Sequence, residues 1–312
     1  MPRKVVFCIA EHDFFVTGPP AINQQADTDM AKNKTIYYKT DEEIELIREA
    51  CLLNSRALAL VAEMIRPGIT GLEIDKAAES LLRDNGATPA FKGFPGQKSD
   101  FPGTLCISIN ETVVHGIPSD KPFRDGDIVS VDCGTYLNGF YGDCAYTFCL
   151  GEVAEPVMQL CRVTKTSLYR AIDQAVAGRR IGDIAYAVQQ YTEREHKYGV
   201  VRELVGHGVG RTLHEAPEVP NFGKRGQGTK MKSGLVIAIE PMINLGKRYV
   251  RTLPDGWNVI TKDKQPSAHY EHTVLVRKGS ADVLTTHEGV EANIRDNPNV
   301  REVELMDERA VA

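Results

Sequence analysis

Apolar residues recur at helical spacing at Ile44, Ile47, Cys51, Leu58, Val61 and Ile65. Thr40 and Glu43 form a capping box ahead of that stripe, and Pro67-Gly68 ends it. Thr70 and Glu73 repeat the box, which predicts a second helix running to about Asn85-Gly86. From Thr104 the pattern turns to short β-rich runs over 105–109 and 127–133. Asn138-Gly139 marks a two-residue hairpin turn that returns the chain through Tyr141 to Leu150. Helical spacing reappears over 155–175 and 181–198, and strands over 200–205, 235–240 and 270–276. The order helix, helix, strands therefore occurs twice. An offset of 110 residues lays Gly68 on Gly178, Ile74 on Ile184 and Ala78 on Val188. Two similar α/β halves facing each other would put a site at their seam.

Composition narrows the class. The chain has 312 residues, 42% of them hydrophobic and 25% charged, enough for a sizeable core. A net charge of -5 argues against a general nucleic-acid binder, so no DNA partner is expected. The seven cysteines are odd in number and contain no Cys-x-x-Cys pair, which argues against a disulfide framework and a structural zinc module. A reduced, cytoplasmic setting is the simpler reading. No apolar run approaches the ~18 residues of a membrane span. The stretch Val5 to Ala10 is broken by Glu11, His12 and Asp13, too soon for a signal-peptide core. Residues 1–36, with Gly18-Pro19-Pro20 and no periodicity, are expected to be a poorly ordered extension, with Met30 as an alternative start. Residues 37–288 are expected to form the catalytic domain. The stretch 289–312 is charged and weakly periodic (Glu302, Glu304, Asp307, Glu308, Arg309) and reads as a surface tail.

The strongest chemical signal is Asp132 with Asp143. A two-residue turn at Asn138-Gly139 makes Leu137 face Phe140, Tyr136 face Tyr141, Thr135 face Gly142 and Gly134 face Asp143. Asp132 lies two residues before Gly134, on the same face. The carboxylates are then diagonal neighbours with Cβ atoms about 7 Å apart. Two metal ions ~3.5–4 Å apart fit between such groups. Exposed hairpin aspartates are the plain alternative, but Val129, Val131, Tyr146 and Phe148 point to buried strands. Further ligand types stand in Gly206-His207-Gly208-Val209-Gly210, in Glu240 closing an apolar run before Pro241, and in Glu271. By strand alternation Glu271 and His272 face opposite ways, so one of them joins this site. A lone His or Glu is ordinarily structural; the set of two Asp, two Glu and one His is what carries weight. Four negative charges balance two divalent cations, and oxygen-rich ligation with one imidazole suits Mn, Fe, Co or Zn.

Several motifs follow in order: Ser108-Ile109-Asn110-Glu111 with His115-Gly116-Ile117-Pro118, Val131-Asp132, Gly142-Asp143, the His207 glycine run, His214-Glu215, Ile239-Glu240-Pro241-Met242 and Tyr270-Glu271-His272-Thr273. In this order they resemble the type I methionine aminopeptidases over roughly residues 37–285. The short interval of 31 residues between Glu240 and Glu271 fits type I, and the lack of a cysteine-rich zinc module fits the bacterial or organellar form. The resemblance implies an α/β (α+β) pita-bread fold: two pseudo-symmetric helix-helix-strand halves, a curved, mainly antiparallel sheet, and helices on its outer face. It implies removal of the initiator methionine from nascent polypeptides by an attacking water readied between two cations. Asp132 would chelate one ion, Asp143 and Glu271 both, and His207 and Glu240 the other. Glu240 would also carry the proton, His214 would meet the oxygen that becomes negative, and His115 would hold the scissile amide. Cys106, Phe94, Phe101, Leu213 and Trp257 would line the methionine pocket, a setting suited to a thioether. The loop with Phe94 and Phe101 is a few residues longer than usual in the family. Met242 and His269 would face the second substrate residue, and many relatives carry Gln in place of His269.

A prolidase or Xaa-Pro aminopeptidase of the same fold is the near alternative, although those enzymes usually carry a large extra N-terminal domain. A non-catalytic pita-bread binding protein is the distant one, and such relatives lose ligands that this chain keeps. The same consideration argues against a metal-independent amidinohydrolase. The basic run Gly223-Lys224-Arg225-Gly226-Gln227-Gly228-Thr229-Lys230-Met231-Lys232 could touch ribosomal RNA, with a solvated loop as the simpler reading. A monomer is expected.

Overall fold

Both expected capping boxes are made. Thr40 Oγ1 accepts from Glu43 N and Glu43 Oε2 accepts from Thr40 N, opening α1 (Asp41–Met64). Thr70 and Glu73 do the same for α2 (Gly71–Asp84). The computed structural model describes residues 35–306. The expected extension up to residue 34, the Met30 start and positions 307–312 lie outside the described residues.

After α2 come β1 (Thr88–Pro89), β2 (Leu105–Ile109), β3 (Thr112–Val114), β4 (Ile128–Leu137) and β5 (Phe140–Leu150). β4 and β5 form the expected hairpin in the expected register, with Leu137 opposite Phe140 and Gly134 opposite Asp143. Every residue of β5 is buried, because α1 covers one face of the hairpin and the strands of the second half lie against it as well. The approach is close: a Cβ on Gly142 would come within 2.7 Å of the Cys51 backbone nitrogen.

The second half repeats the plan with α3 (Glu155–Ile172) and α4 (Ile181–Gln189). The predicted helix over 181–198 narrows to α4 and then widens into a π-helical turn, Gln190–Glu195, where the Thr192 hydroxyl bonds back to Val188 O. The internal echo is structural. Gly68 (φ 92°) donates to Phe123 O while Thr70 bridges Pro122; Gly178 (φ 99°) donates to Met231 O while Arg180 bridges Lys230.

The remaining strands are β6 (Gly199–Val200), β7 (Gly206–Gly208), β8 (Glu215–Val219), β9 (Val236–Ile239), β10 (Met242–Asn244), β11 (Val250–Thr252), β12 (Val259–Thr261), β13 (Ser267–His269), β14 (His272–Val276) and β15 (Ala281–Val283). They form the sheets β15-β14-β9-β7-β8, β13-β10-β6 and β11-β12-β3. The strand expected over 200–205 shrinks to β6, because the chain turns away after Val200 toward the site. The run 270–276 breaks before His272. β13 pairs with β10 and β14 with β9, and at the break Glu271 N turns to Ala145 O of β5.

Over the described residues 289–306, the expected surface tail is instead docked on the fold. Glu288–Asp296 forms α5, and Val300–Arg301 forms β16, which pairs with β5. Val290, Ile294, Val300 and Val303 are buried. Asn293 donates to Ala59 O, and Asn297 to Ala62 O and Ile65 O, at the end of α1. Four apolar side chains in a charged sequence suffice because the Asn297 amide satisfies carbonyls that the end of α1 leaves open, and Asn293 adds a bond to the Ala59 carbonyl within the helix.

Candidate active site

The two halves bring five distant side chains to one cavity. Asp132 and Asp143 come from the hairpin, Glu240 follows β9, Glu271 precedes β14, and His207 is the centre of β7. The glycines around His207 are required by close packing: a Cβ at Gly206 would lie 2.4 Å from Ala238 O, and one at Gly208 would lie 2.6 Å from Ala216 O. His207 Nδ1 lies 2.9 Å from Gly208 O; donating there, it presents the Nε2 lone pair to the cavity. That Nε2 is 3.5 Å from Glu240 Oε1 and 3.8 Å from Asp143 Oδ2. Donor atoms of Asp143, His207 and Glu271 lie within 4.8 Å of one another.

The electrostatics fit a cation. Among the described residues, Asp132 Oδ1, Asp143 Oδ1 and Glu271 Oε1 are buried without a hydrogen-bond partner, an arrangement that is costly unless positive charge compensates it. Burial lifts the Asp132 carboxyl to about 7. Burial, then the charges of Glu271 and Asp132, raise Asp143. Glu240 is raised by burial and by Asp143 and Asp132, and Glu271 by burial and by Glu240 and Asp132. The oxygen-rich donor set with one imidazole therefore suits divalent metal. Burial holds His207 and His115 down to about 4 and lowers His214 further, so all three imidazoles are neutral near pH 7.

The cavity measures about 190 Å³ and is lined by eight further residues expected from the sequence: Phe94, Phe101, Cys106, His115, Leu213, His214, Met242 and Trp257. Phe101 meets Trp257 edge-on at 5.1 Å, and His115 meets Trp257 at 6.2 Å. The longer loop is closed by Phe101 N to Phe94 O and by Trp257 Nε1 donating to Ser99 O. His214 packs against His207 at 4.4 Å and Phe94 at 5.5 Å. His269 is the exception. It does not line the cavity; it is buried behind Glu240, its Nε2 3.8 Å from Glu240 Oε2.

Sequence reasoning missed Phe91, Val114, Leu204 and Val205, which also line the cavity. Val114 adjoins His115, and Leu204-Val205 lead into the His207 run, so adjacency to a motif was the available signal. It also missed Lys39, whose buried Nζ lies 2.5 Å from Glu215 Oε2. Glu215 Oε1 in turn accepts from Arg211 N, holding the turn that presents His214. His272 points away from the cavity, as alternation requires: it bonds Thr285 and stacks on His287 at 3.9 Å.

Four similarities to known proteins bear on this geometry. The sequence profile of metallopeptidase family M24 matches residues 45–278. A protein of Clostridium perfringens named methionine aminopeptidase is 47% identical over 250 residues, 80% of this chain and 98% of that protein. The crystal structure of the Thermotoga maritima methionine aminopeptidase superposes with a TM-score of 0.78 at 40% identity, covering 81% of this chain and all of that one. The Pyrococcus furiosus prolidase shares the curled antiparallel architecture at TM-score 0.66 and 27% identity, but only 68% of its chain is covered. The chain belongs to metallopeptidase family M24 and, within it, to the methionine aminopeptidases.

Proposed function

We propose that this chain removes the N-terminal methionine from nascent polypeptides whose second residue is small. The observation that carries this reading is the set of partnerless buried carboxylate oxygens opening onto a small cavity walled by aromatic rings and a thiol. Asp132, Asp143, His207, Glu240 and Glu271 would hold two divalent ions, drawn from Mn, Fe, Co or Zn. When bound, the ions make hydroxide available near neutral pH and polarise the scissile carbonyl.

The protein's own groups do the rest. Glu240 takes the proton of the attacking water and passes it to the leaving amine. The neutral His214 donates its single N–H to the oxygen that gains charge. His115, held by a left-handed backbone (φ 58°), aligns the scissile amide. Phe94, Phe101, Cys106, Leu213 and Trp257 enclose the methionine side chain and exclude water from it. Met242 limits the second residue directly. His269 acts there from behind Glu240 and not as a wall.

High coverage of the aminopeptidase relatives, against partial coverage of the prolidase, favours methionine release over Xaa-Pro cleavage. The protein would act as a monomer in the cytoplasm. Transient ribosome contact would run through the exposed Lys224, Arg225, Lys230 and Lys232 and would weaken with salt. The test is hydrolysis by metal-free enzyme supplied with each cation in turn. Met-Ala-Ser should be cleaved, Met-Leu-Ser and Xaa-Pro dipeptides barely, and Asp132→Asn should be inactive. Full activity of that variant, or preferential Xaa-Pro cleavage, would overturn the reading.

A further inference from the structure

The two halves meet where β5 runs beside the β13–β14 stretch. Among the described residues their main chains bond there at Glu271 N to Ala145 O, 3.0 Å. Two residues to either side, where a ladder would continue, a threonine hydroxyl takes the place of a backbone pair. Thr273 Oγ1 donates to Asp143 O at 2.7 Å and accepts from Asp143 N at 3.2 Å. Thr147 Oγ1 donates to His269 O at 2.6 Å and accepts from His269 N at 3.0 Å. The arrangement is two-fold: Thr147 belongs to the first half and clips the second, whereas Thr273 belongs to the second and clips the first. Both threonines are fully buried, so the peptide groups they serve have no water to turn to.

We propose that Thr273 is a positioning residue for the metal centre. Its hydroxyl fixes the main chain of Asp143 relative to Glu271, two residues back along its own chain, and so sets how the two carboxylates meet. A hydroxyl between two main chains keeps them farther apart than a direct ladder, whose strands lie about 4.8 Å apart. The spacing on the Asp143 side is thus governed by one side-chain oxygen. Thr147 performs the same structural task beside His269, outside the proposed ligand set, and is the internal control. The inference rests on the proposed role of Asp143 and Glu271 in holding metal.

The test uses the full chain, stripped of metal, with Mn²⁺ affinity read by calorimetry and thermal midpoint by circular dichroism. Thr273→Val keeps the shape and removes the hydroxyl; it should weaken Mn²⁺ binding on the order of tenfold or more, as loss of support behind metal ligands does. Thr273→Ser should stay within about threefold of the parent, because the hydroxyl that supports the ligand is kept. Thr147→Val should lose comparable thermal stability while keeping Mn²⁺ affinity within about threefold, since the peptide groups it clips belong to His269, which is not in the proposed ligand set. A folded Thr273→Val with parental affinity, or equal weakening in both valine variants, would overturn the proposal. Should Thr273→Val not fold, Thr273→Cys, with a weakly hydrogen-bonding thiol, carries the same expectation, and parental affinity there overturns it. A parent chain that binds no Mn²⁺ would instead remove the metal reading on which the proposal stands.

Discussion

Glu240 and Glu271 stand opposite one another across a gap in one antiparallel register, between the pairs Ile239–His272 and Met242–His269. Pro241 has no N–H to offer the ladder, so the gap is written into the chain. Two carboxylates facing each other in a buried gap repel. Glu271→Gln removes one of the charges, and two effects of opposite sign should follow. The metal-free protein should melt at a higher temperature at pH 8, and Mn²⁺ affinity should fall at least tenfold, consistent with loss of a ligand. Thermal melts with and without Mn²⁺ read both, and an unchanged metal-free midpoint would contradict the repulsion argument.

The raised carboxyls also set a pH dependence. A carboxyl whose pKa rises on folding contributes its stability in full below its unfolded value, about 4, and loses it as pH climbs through the folded value. Asp132 sits at about 7, and Asp143, Glu240 and Glu271 are raised too. The metal-free protein should therefore lose stability from about pH 4 to 7. Metal needs the anions, so its affinity should rise over the same window, with protons released on binding. Calorimetry of Mn²⁺ binding at pH 5.5 and 7.5, in buffers of different ionisation enthalpy, checks the sign.

Lys39 and Glu215 form an ion pair with side chains 4% and 5% exposed. Lys39→Met strands a buried carboxylate, for which a cost of ~3–5 kcal/mol is expected. The turn from Gly210 to Glu215 carries His214, so kcat should fall along with stability, without loss of Mn²⁺ binding. Urea unfolding beside steady-state kinetics separates the two effects.

Ile294 on α5 is 2% exposed and packs into the core. Ile294→Ala should cost about 2–5 kcal/mol, as large-to-small core substitutions do. A surface tail would give a change near zero, so one chemical melt distinguishes the two.

The legible part of this structure was local or was fixed by a turn. Thr40 with Glu43 and Thr70 with Glu73 announced their helices, because a capping box is complete within four residues. Asn138-Gly139 fixed the register of a whole hairpin, and with it the shared face of Asp132 and Asp143. Strand alternation was enough to send Glu271 and His272 to opposite faces, and the family resemblance chose Glu271 for the site. The illegible part depended on partners far along the chain. The strand over 270–276 opens only at His272 because the facing chain has its gap at Glu240-Pro241, which nothing in its own residues states. Val290, Ile294, Val300 and Val303 are too sparse to announce a core face; the asparagines that dock the segment on α1 give no periodic signal. Lys39 finds Glu215 across 176 positions, and His269, set opposite Met242 where β13 pairs with β10, stands 3.8 Å from Glu240 without lining the cavity.

The return of β16 to β5 has a mechanical meaning. The chain starts its first half, builds the second, and then ties its end back onto the first, so the halves are buckled together at both the seam and the rim. That tie opposes a jaw-like opening of the halves. On the proposed function, side chains at the mouth would then govern access, and selection of the second residue would be a matter of fixed walls rather than of closure around the substrate.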